Sequence, residues 1–194
     1  LMATAEIEFD GKKLNLYGIQ KYFENPDREV RKAAFKKYSE FYEKNEEKME
    51  EIFDKLVDVR TKMGQALGYK TFTPLGYLQQ GRSDYGQEEV ASFREQVLRE
   101  LVPLCSKLYE AQAKRIGVDR LMAYDEKFIF PDGNAEPIGD EDYMVKEAQK
   151  MYHDLSPETG EFIDFMIDHE LMDLTNKPGK ANTGYMTSLP KYLA

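Results

Sequence analysis

The sequence predicts a mainly α protein, an irregular bundle of long helices that carries small β-hairpins. Three observations lead there. Apolar residues step by three or four from Val30 to Ala66 and again from Val90 to Ala111, the spacing of helices with one buried face. Several runs open on helix-start chemistry, a polar cap followed by proline, as at Asn25-Pro26, Thr73-Pro74 and Ser156-Pro157,. Strict alternation is confined to short stretches, the clearest being residues 4–16.

That first stretch reads as a hairpin. Ile7 and Phe9 alternate with Glu6 and Glu8, Asp10-Gly11 is a two-residue turn signal, and Leu14 and Leu16 alternate on the return,. A lone hairpin is marginal in water, so it needs a surface to lie on.

From Asn25-Pro26-Asp27 the period changes. Val30, Ala34, Tyr38, Phe41, Asn45, Met49, Ile52, Leu56, Val59, Met63 and Ala66 trace one helical face,. Asn25 is the expected N-cap, Pro26 the first helical residue and Gly68 the stop,. A helix over about 27–66 would be ~60 Å long, against a radius of gyration of about 16 Å for a compact domain of this length. It bends, breaks near Asn45, or runs along a larger body; the last fits best. Part of the stripe is heptad-like, but aromatics at 38, 41 and 42 suit an irregular bundle better than a two-stranded seam,.

Thr73, as N-cap, starts a short helix over 74–80. A connection at 81–86 leads into a second long helix, about 88–116, on Val90, Phe93, Val97, Leu101, Leu104, Leu108 and Ala111. Pro103 lies inside it and either kinks it or marks where two helices meet. Phe128-Ile129-Phe130 reads as a short strand, with a turn at residues 131–134 and a possible returning strand,. Helices follow over 140–154 and 157–172, then a strand-like run at 183–188.

Composition narrows the function classes. The 194 residues are 41% hydrophobic and 32% charged, with 27 Lys plus Arg against 36 Asp plus Glu and a net charge of −9. That balance is globular and argues against nucleic acid or anionic membrane as partners. No run approaches the ~20 apolar residues of a membrane span. The start at Leu1-Met2-Ala3-Thr4 lacks a basic segment followed by an apolar one,. The single cysteine, Cys105, rules out an internal disulfide and is expected to be a buried thiol among Leu101, Leu104 and Leu108,. A cytoplasmic protein is the expectation. Nothing marks a domain boundary, so residues 1–194 read as one unit.

The most tempting motif is His169-Glu170-Leu171-Met172-Asp173. A zinc peptidase helix presents His at i and i+4 with Glu as general base. Here the second position is Asp, and the only other histidine is His153, so three protein ligands are hard to assemble. The expected role of His169 is to cap or pack a helix end. A metal site built on this motif, alone or across a dimer, is the outside reading. Glu46, Glu47, Lys48, Glu50 and Glu51 read as a solvated helix face, and Asp140-Glu141-Asp142 as an acidic helix start. Tyr38, Phe41, Tyr42 and Phe53 read as core stripe. The sequence assigns no catalytic and no metal-binding residue.

The order of motifs carries more. Asp27-Arg28 with Arg31 and Ala34, then Leu67-Gly68-Tyr69 before Arg82 and Tyr85, then Ile116-Gly117 with Leu121 and Tyr124-Asp125, then Ser156-Pro157-Glu158, Asp173-Leu174, Gly179-Lys180 and Gly184-Tyr185 together resemble the oligoendopeptidase F branch of the thimet-oligopeptidase-like zinc metallopeptidases. The likeness runs through most of the chain. It implies a part of a larger, mostly helical, channel-forming peptidase body. It implies zinc and an oligopeptide substrate in the full-length parent, with the HExxH helix downstream of residue 194. By the same resemblance this chain is a fragment with no zinc of its own, partnered by the remainder of the peptidase and prone to self-association through apolar surface that remainder would cover. Gly184 and Tyr185 are the implied substrate-binding residues, at a sheet edge offered to extended peptide. The competing expectation is a non-enzymatic helical module that binds a partner protein.

Overall fold

The computed structural model describes residues 1–136, 138–180, 184, 186 and 187. It begins with the expected hairpin. Strand β1 (Ile7–Phe9) pairs antiparallel with β2 (Lys12–Leu14), and Ile7 lies opposite Leu14. Asp10 and Gly11 both take positive φ, 51° and 68°, the requirement of a type I′ turn. Ile7 is buried while Glu8 faces solvent.

The hairpin finds its support within the chain. Leu16 belongs not to the return strand but to a short helix, α1 (Leu16–Gln20), whose N-cap Asn15 accepts a 2.7 Å hydrogen bond from the Gly18 N–H. A 3₁₀ turn, Lys21–Glu24, follows. Ala5, Ile7, Leu16, Ile19, Phe23 and Ala34 form the core, edged by Phe9, Leu14, Phe35, Tyr38, Phe41 and Tyr42. Phe23 meets Tyr38 edge to face at 5.7 Å, a geometry that adds to plain burial.

Helix α2 (Arg28–Ala66) is continuous for 39 residues, about 58 Å. Its N-cap is Asp27, whose carboxylate accepts from the Glu29 N–H at 2.9 Å. Asn25 instead accepts from the Asp27 N–H at 2.8 Å, forming the turn that leads in,. There is no break at Asn45, which donates from Nδ2 to the Phe41 carbonyl one turn back at 2.7 Å. Gly68, at φ 82°, ends the helix as expected,. Only the first half of α2 reaches the core. Ile52, Phe53, Leu56, Val57, Val59 and Met63 are exposed, so Phe53 is not part of a buried stripe.

Helix α3 (Thr73–Gln79) starts one residue early, with Phe72 at its N-cap and Thr73 inside. Then come α4 (Gln87–Gln96), a single π turn (Val97–Leu101) and α5 (Val102–Arg115). Pro103 explains the π turn: it cannot donate to the Arg99 carbonyl and its ring would strike it, and the wider turn just before relieves both. Phe93, Leu98, Leu101, Leu104 and Leu108 are exposed along this rod, and so is Cys105. The buried thiol expected from its leucine neighbours is thus corrected, because among the described residues that face meets no other element.

The stretch after α5 folds as a 3₁₀ turn, Ala123–Asp125, and irregular chain. The expected strand at 128–130 is absent among the described residues. Asn134 takes a partner strand's place, accepting from the Ile129 N–H at 2.9 Å and donating to the Lys127 carbonyl. Helices α6 (Glu141–Leu155) and α7 (Pro157–Asp168) form a helical hairpin. Ser156 serves both, ending α6 and capping α7 through a bond from the Thr159 N–H at 3.2 Å. Helix α7 stops at Asp168 rather than 172. Gly184, Met186 and Thr187 carry no strand, and the other positions of the expected run at 183–188 lie outside the described residues. No helix among the described residues is long and apolar enough to cross a membrane.

Candidate functional site

Three places bear on function, and the first is the near-metal motif. His169 is the C-cap of α7, and Glu170 follows in the left-handed region at φ 52°. The Leu171 N–H bonds the Met166 carbonyl at 2.9 Å, closing the helix end in a Schellman-type turn. Residues 169 and 173 therefore do not share a helix face. His169 stacks on Phe165 with ring centroids 4.1 Å apart and places Nδ1 2.9 Å from the Phe165 carbonyl. It packs the helix end, as the sequence predicts.

The Asp173 carboxylate is already engaged, 3.0 Å from Lys177 Nζ and 3.1 Å from Lys180 Nζ. Bonds from Lys177 first, then Lys180, hold its pKa below the usual carboxylate value,. A carboxylate neutralised by two ammonium groups is a poor cation ligand. Among the described residues no group of three His, Cys, Asp or Glu is placed to hold a metal. The described residues do not fit zinc.

The second place is the α6–α7 contact. His153 Nε2 lies 3.0 Å from Asp164, which also accepts from Gln149 Nε2 at 2.6 Å. Gly160 is buried beneath the imidazole; a Cβ there would stand 2.5 Å from His153 Nδ1. Bonds from Gln149, then His153, lower the Asp164 pKa. Shallow surface depressions flank this contact, one between His153 and His169 and one edged by Glu141, Lys146 and Asp173. Both are open to solvent.

The third place is one that sequence reasoning left unpaired. Arg28, Arg31 and Asp125, three of the residues on which the family resemblance rests, meet in one node. Arg28 Nη2 donates to Asp125 Oδ2 at 2.8 Å, Arg31 Nη2 to Oδ1 at 2.9 Å, and the Met122 N–H to Oδ2 at 3.0 Å. Asp125 is 0% exposed and Arg31 2%. The Arg31 guanidinium also lies 4.4 Å over the Phe128 ring and donates from Nη1 to the Asn25 and Pro26 carbonyls. Gln112 Nε2 reaches the carbonyls of Asp125, Glu126 and Phe128. Burial alone would raise the Asp125 pKa, but the bonds from Arg28, Arg31 and the Met122 N–H outweigh it and leave it below the ordinary value,. Two guanidiniums converge on one buried carboxylate, and only Arg31 Nε is left without a hydrogen-bond partner among the described buried side-chain atoms, so the node fastens the end of α5 and the 119–128 loop to the start of α2. It is scaffold rather than active site.

Of the two implied substrate residues, Gly184 is exposed and a Cβ there would meet nothing within 4 Å. Tyr185 lies outside the described residues.

Comparison with known proteins says what larger body such a scaffold belongs to. The model of peptidase family M3 matches residues 21–144. No curated protein matches at a significant level. Among solved structures, PZ peptidase A with an inhibitor is similar at 49% identity and a TM-score of 0.94, over 98% of this chain and 34% of that one. A protein assigned as oligoendopeptidase F is similar at 45% identity and a TM-score of 0.95, over 100% of this chain and 34% of that one. Another so assigned, from Bacillus anthracis str. Ames, is 45% identical with a TM-score of 0.89, over 96% and 34%. The chain thus spans about a third of the length of the solved proteins it matches. Its fold is that of part of a larger peptidase body, and the chain belongs to peptidase family M3, in the oligoendopeptidase F branch.

Proposed function

We propose that this chain is one wall of a cytoplasmic zinc metalloendopeptidase that hydrolyses short peptides, and that it is inactive alone. The observation that carries the reading is the pairing of a family M3 fold at 45–49% identity with coverage of 34% of each matched chain. The exposed apolar residues on the far half of α2 and along α4–α5 support it, since isolated domains seldom leave such stripes open to water. On this reading the remainder of the enzyme covers them and supplies the zinc ligands and the general base. The described residues of this chain do not fit the metal, and their part is to form and hold the wall. Gly184 and Tyr185 would lie along the bound peptide, with glycine permitting close backbone approach.

The test is made in the complete enzyme. Replacing Gly184 and Tyr185 together by alanine should raise KM for an oligopeptide. Unchanged kinetics would remove both from the peptide site.

A further inference from the structure

Lys180 organises the chain just ahead of Gly184. Its Nζ lies 2.6 Å from the Asp173 carbonyl, 2.7 Å from the Thr175 carbonyl and 3.1 Å from Asp173 Oδ1. An ammonium has three N–H donors, and all three are spent on one turn. The side chain is only 24% exposed, so this is an inward-facing knot rather than a loose surface pair. Lys177 draws the same carboxylate from outside at 3.0 Å.

The knotted turn is fixed to the opposite end of the chain. Asn15 Nδ2 donates to Asn176 Oδ1 at 2.7 Å, and Asn176 Nδ2 returns a bond to Asn15 Oδ1 at 3.3 Å, across 161 residues. The Gly179 N–H donates to the Ala3 carbonyl at 3.2 Å, with Gly179 at φ 80°. Asn15 is itself locked as the N-cap of α1. The turn therefore rests on Ala3 and on the N-cap of α1, a helix that belongs to the core, and not on the α6–α7 hairpin alone.

We propose that Lys180 is a positioning residue: its knot, seated on the N-terminal core through Asn15–Asn176 and Ala3–Gly179, sets the place from which the chain departs toward Gly184. The inference rests on the reading of Gly184 and Tyr185 as peptide contacts. Lys180 touches no substrate and acts through the turn. Arginine cannot replace it, because a planar fork does not aim three donors at one small concave set of oxygens.

The experiment uses the complete peptidase with Lys180→Met, Lys180→Arg and Asn176→Ala beside the Gly184/Tyr185 double-alanine variant. Lys180→Met should raise KM for an oligopeptide on the order of tenfold while kcat stays within about threefold. Lys180→Arg should fail to rescue it, and Asn176→Ala should shift KM in the same direction. Zinc content should be unchanged in all. If the double-alanine variant raises KM and neither Lys180→Met nor Asn176→Ala does, Lys180 has no positioning role although the peptide reading stands. If none of the variants moves KM, the peptide reading itself fails. Should Lys180→Met not fold, Asn176→Ala decides alone, since it removes one surface amide pair. Full rescue by Lys180→Arg would also overturn the proposal, because any cation would then suffice.

Discussion

Arg31 and Asp125, 94 residues apart in sequence, meet at 2.9 Å with side chains 2% and 0% exposed. This contact joins the first turn of α2 to the loop after α5, and Arg28 completes it from the surface side. Breaking a buried pair strands the surviving charge, at a cost of about 3–5 kcal/mol. Asp125→Asn and Arg31→Met should each destabilise the chain by about that much in urea unfolding. The double variant Arg31→Met/Asp125→Asn should lose less than the sum, since the charge that remains is the part-exposed Arg28 rather than a buried one,.

The same carboxylate predicts an acid response. The folded pKa of Asp125 is depressed, so the unfolded state takes up its proton first as pH falls. Its contribution to stability is complete above the ordinary carboxylate value, about 3.9, and disappears as pH drops through the lower folded value. Half-buried Asp164 and exposed Asp173 are shifted in the same direction, so the diagnostic is a difference. Asp125→Asn should unfold less steeply than the parent below about pH 4, as followed by circular dichroism.

Glu170 sits at φ 52° at the end of α7, where glycine is the relaxed choice. Glu170→Gly should stabilise the α7 terminus by about 0.5–1 kcal/mol. A fall in melting temperature would show that the glutamate side chain has a compensating contact.

Gly160→Ala should separate α6 from α7. The new Cβ would collide with His153 Nδ1 at 2.5 Å, which forces the imidazole away from Asp164 at a cost of about 1–3 kcal/mol. His153→Ala should remove most of that penalty in the double variant, measured by thermal unfolding.

The open faces predict association. Sedimentation of the chain alone should show concentration-dependent oligomers. Leu98→Glu with Leu108→Glu, at positions 67% and 60% exposed, should return it toward monomer. A parent chain that stays monomeric at high concentration would count against apolar surfaces made to be covered.

How much of this was legible depends on the range of the interaction that fixes each part. The long helix was plain, because the stripe from Val30 to Ala66 repeats one local rule. Its start slipped by two residues, because Asn25 and Asp27 are both good caps and only the 2.9 Å bond to the Glu29 N–H decides between them. Helix α1 was hidden because Leu14 and Leu16 alternate like a strand, while the Asn15 cap and the Leu16, Ile19, Phe23 spacing told the other story. Cys105 and Phe53 were misjudged for one reason: a periodic face announces that it wants a partner, not that the partner is present. Arg28, Arg31 and Asp125 were each noted, yet nothing local pairs residues so far apart. Zinc's ligand count speaks against His169 and Asp173 from sequence alone, whereas the two lysines that hold Asp173 are visible only in the structure.

The central claim is that residues 1–194 build a wall of a peptidase and hold none of its cutting groups. The most direct measurement compares the purified chain with the complete enzyme for zinc content and turnover of a quenched fluorescent oligopeptide. The account predicts no stoichiometric zinc and no cleavage for the chain, and zinc-dependent cleavage for the complete enzyme. Cleavage by the 194-residue chain itself, abolished by a chelator, would contradict it.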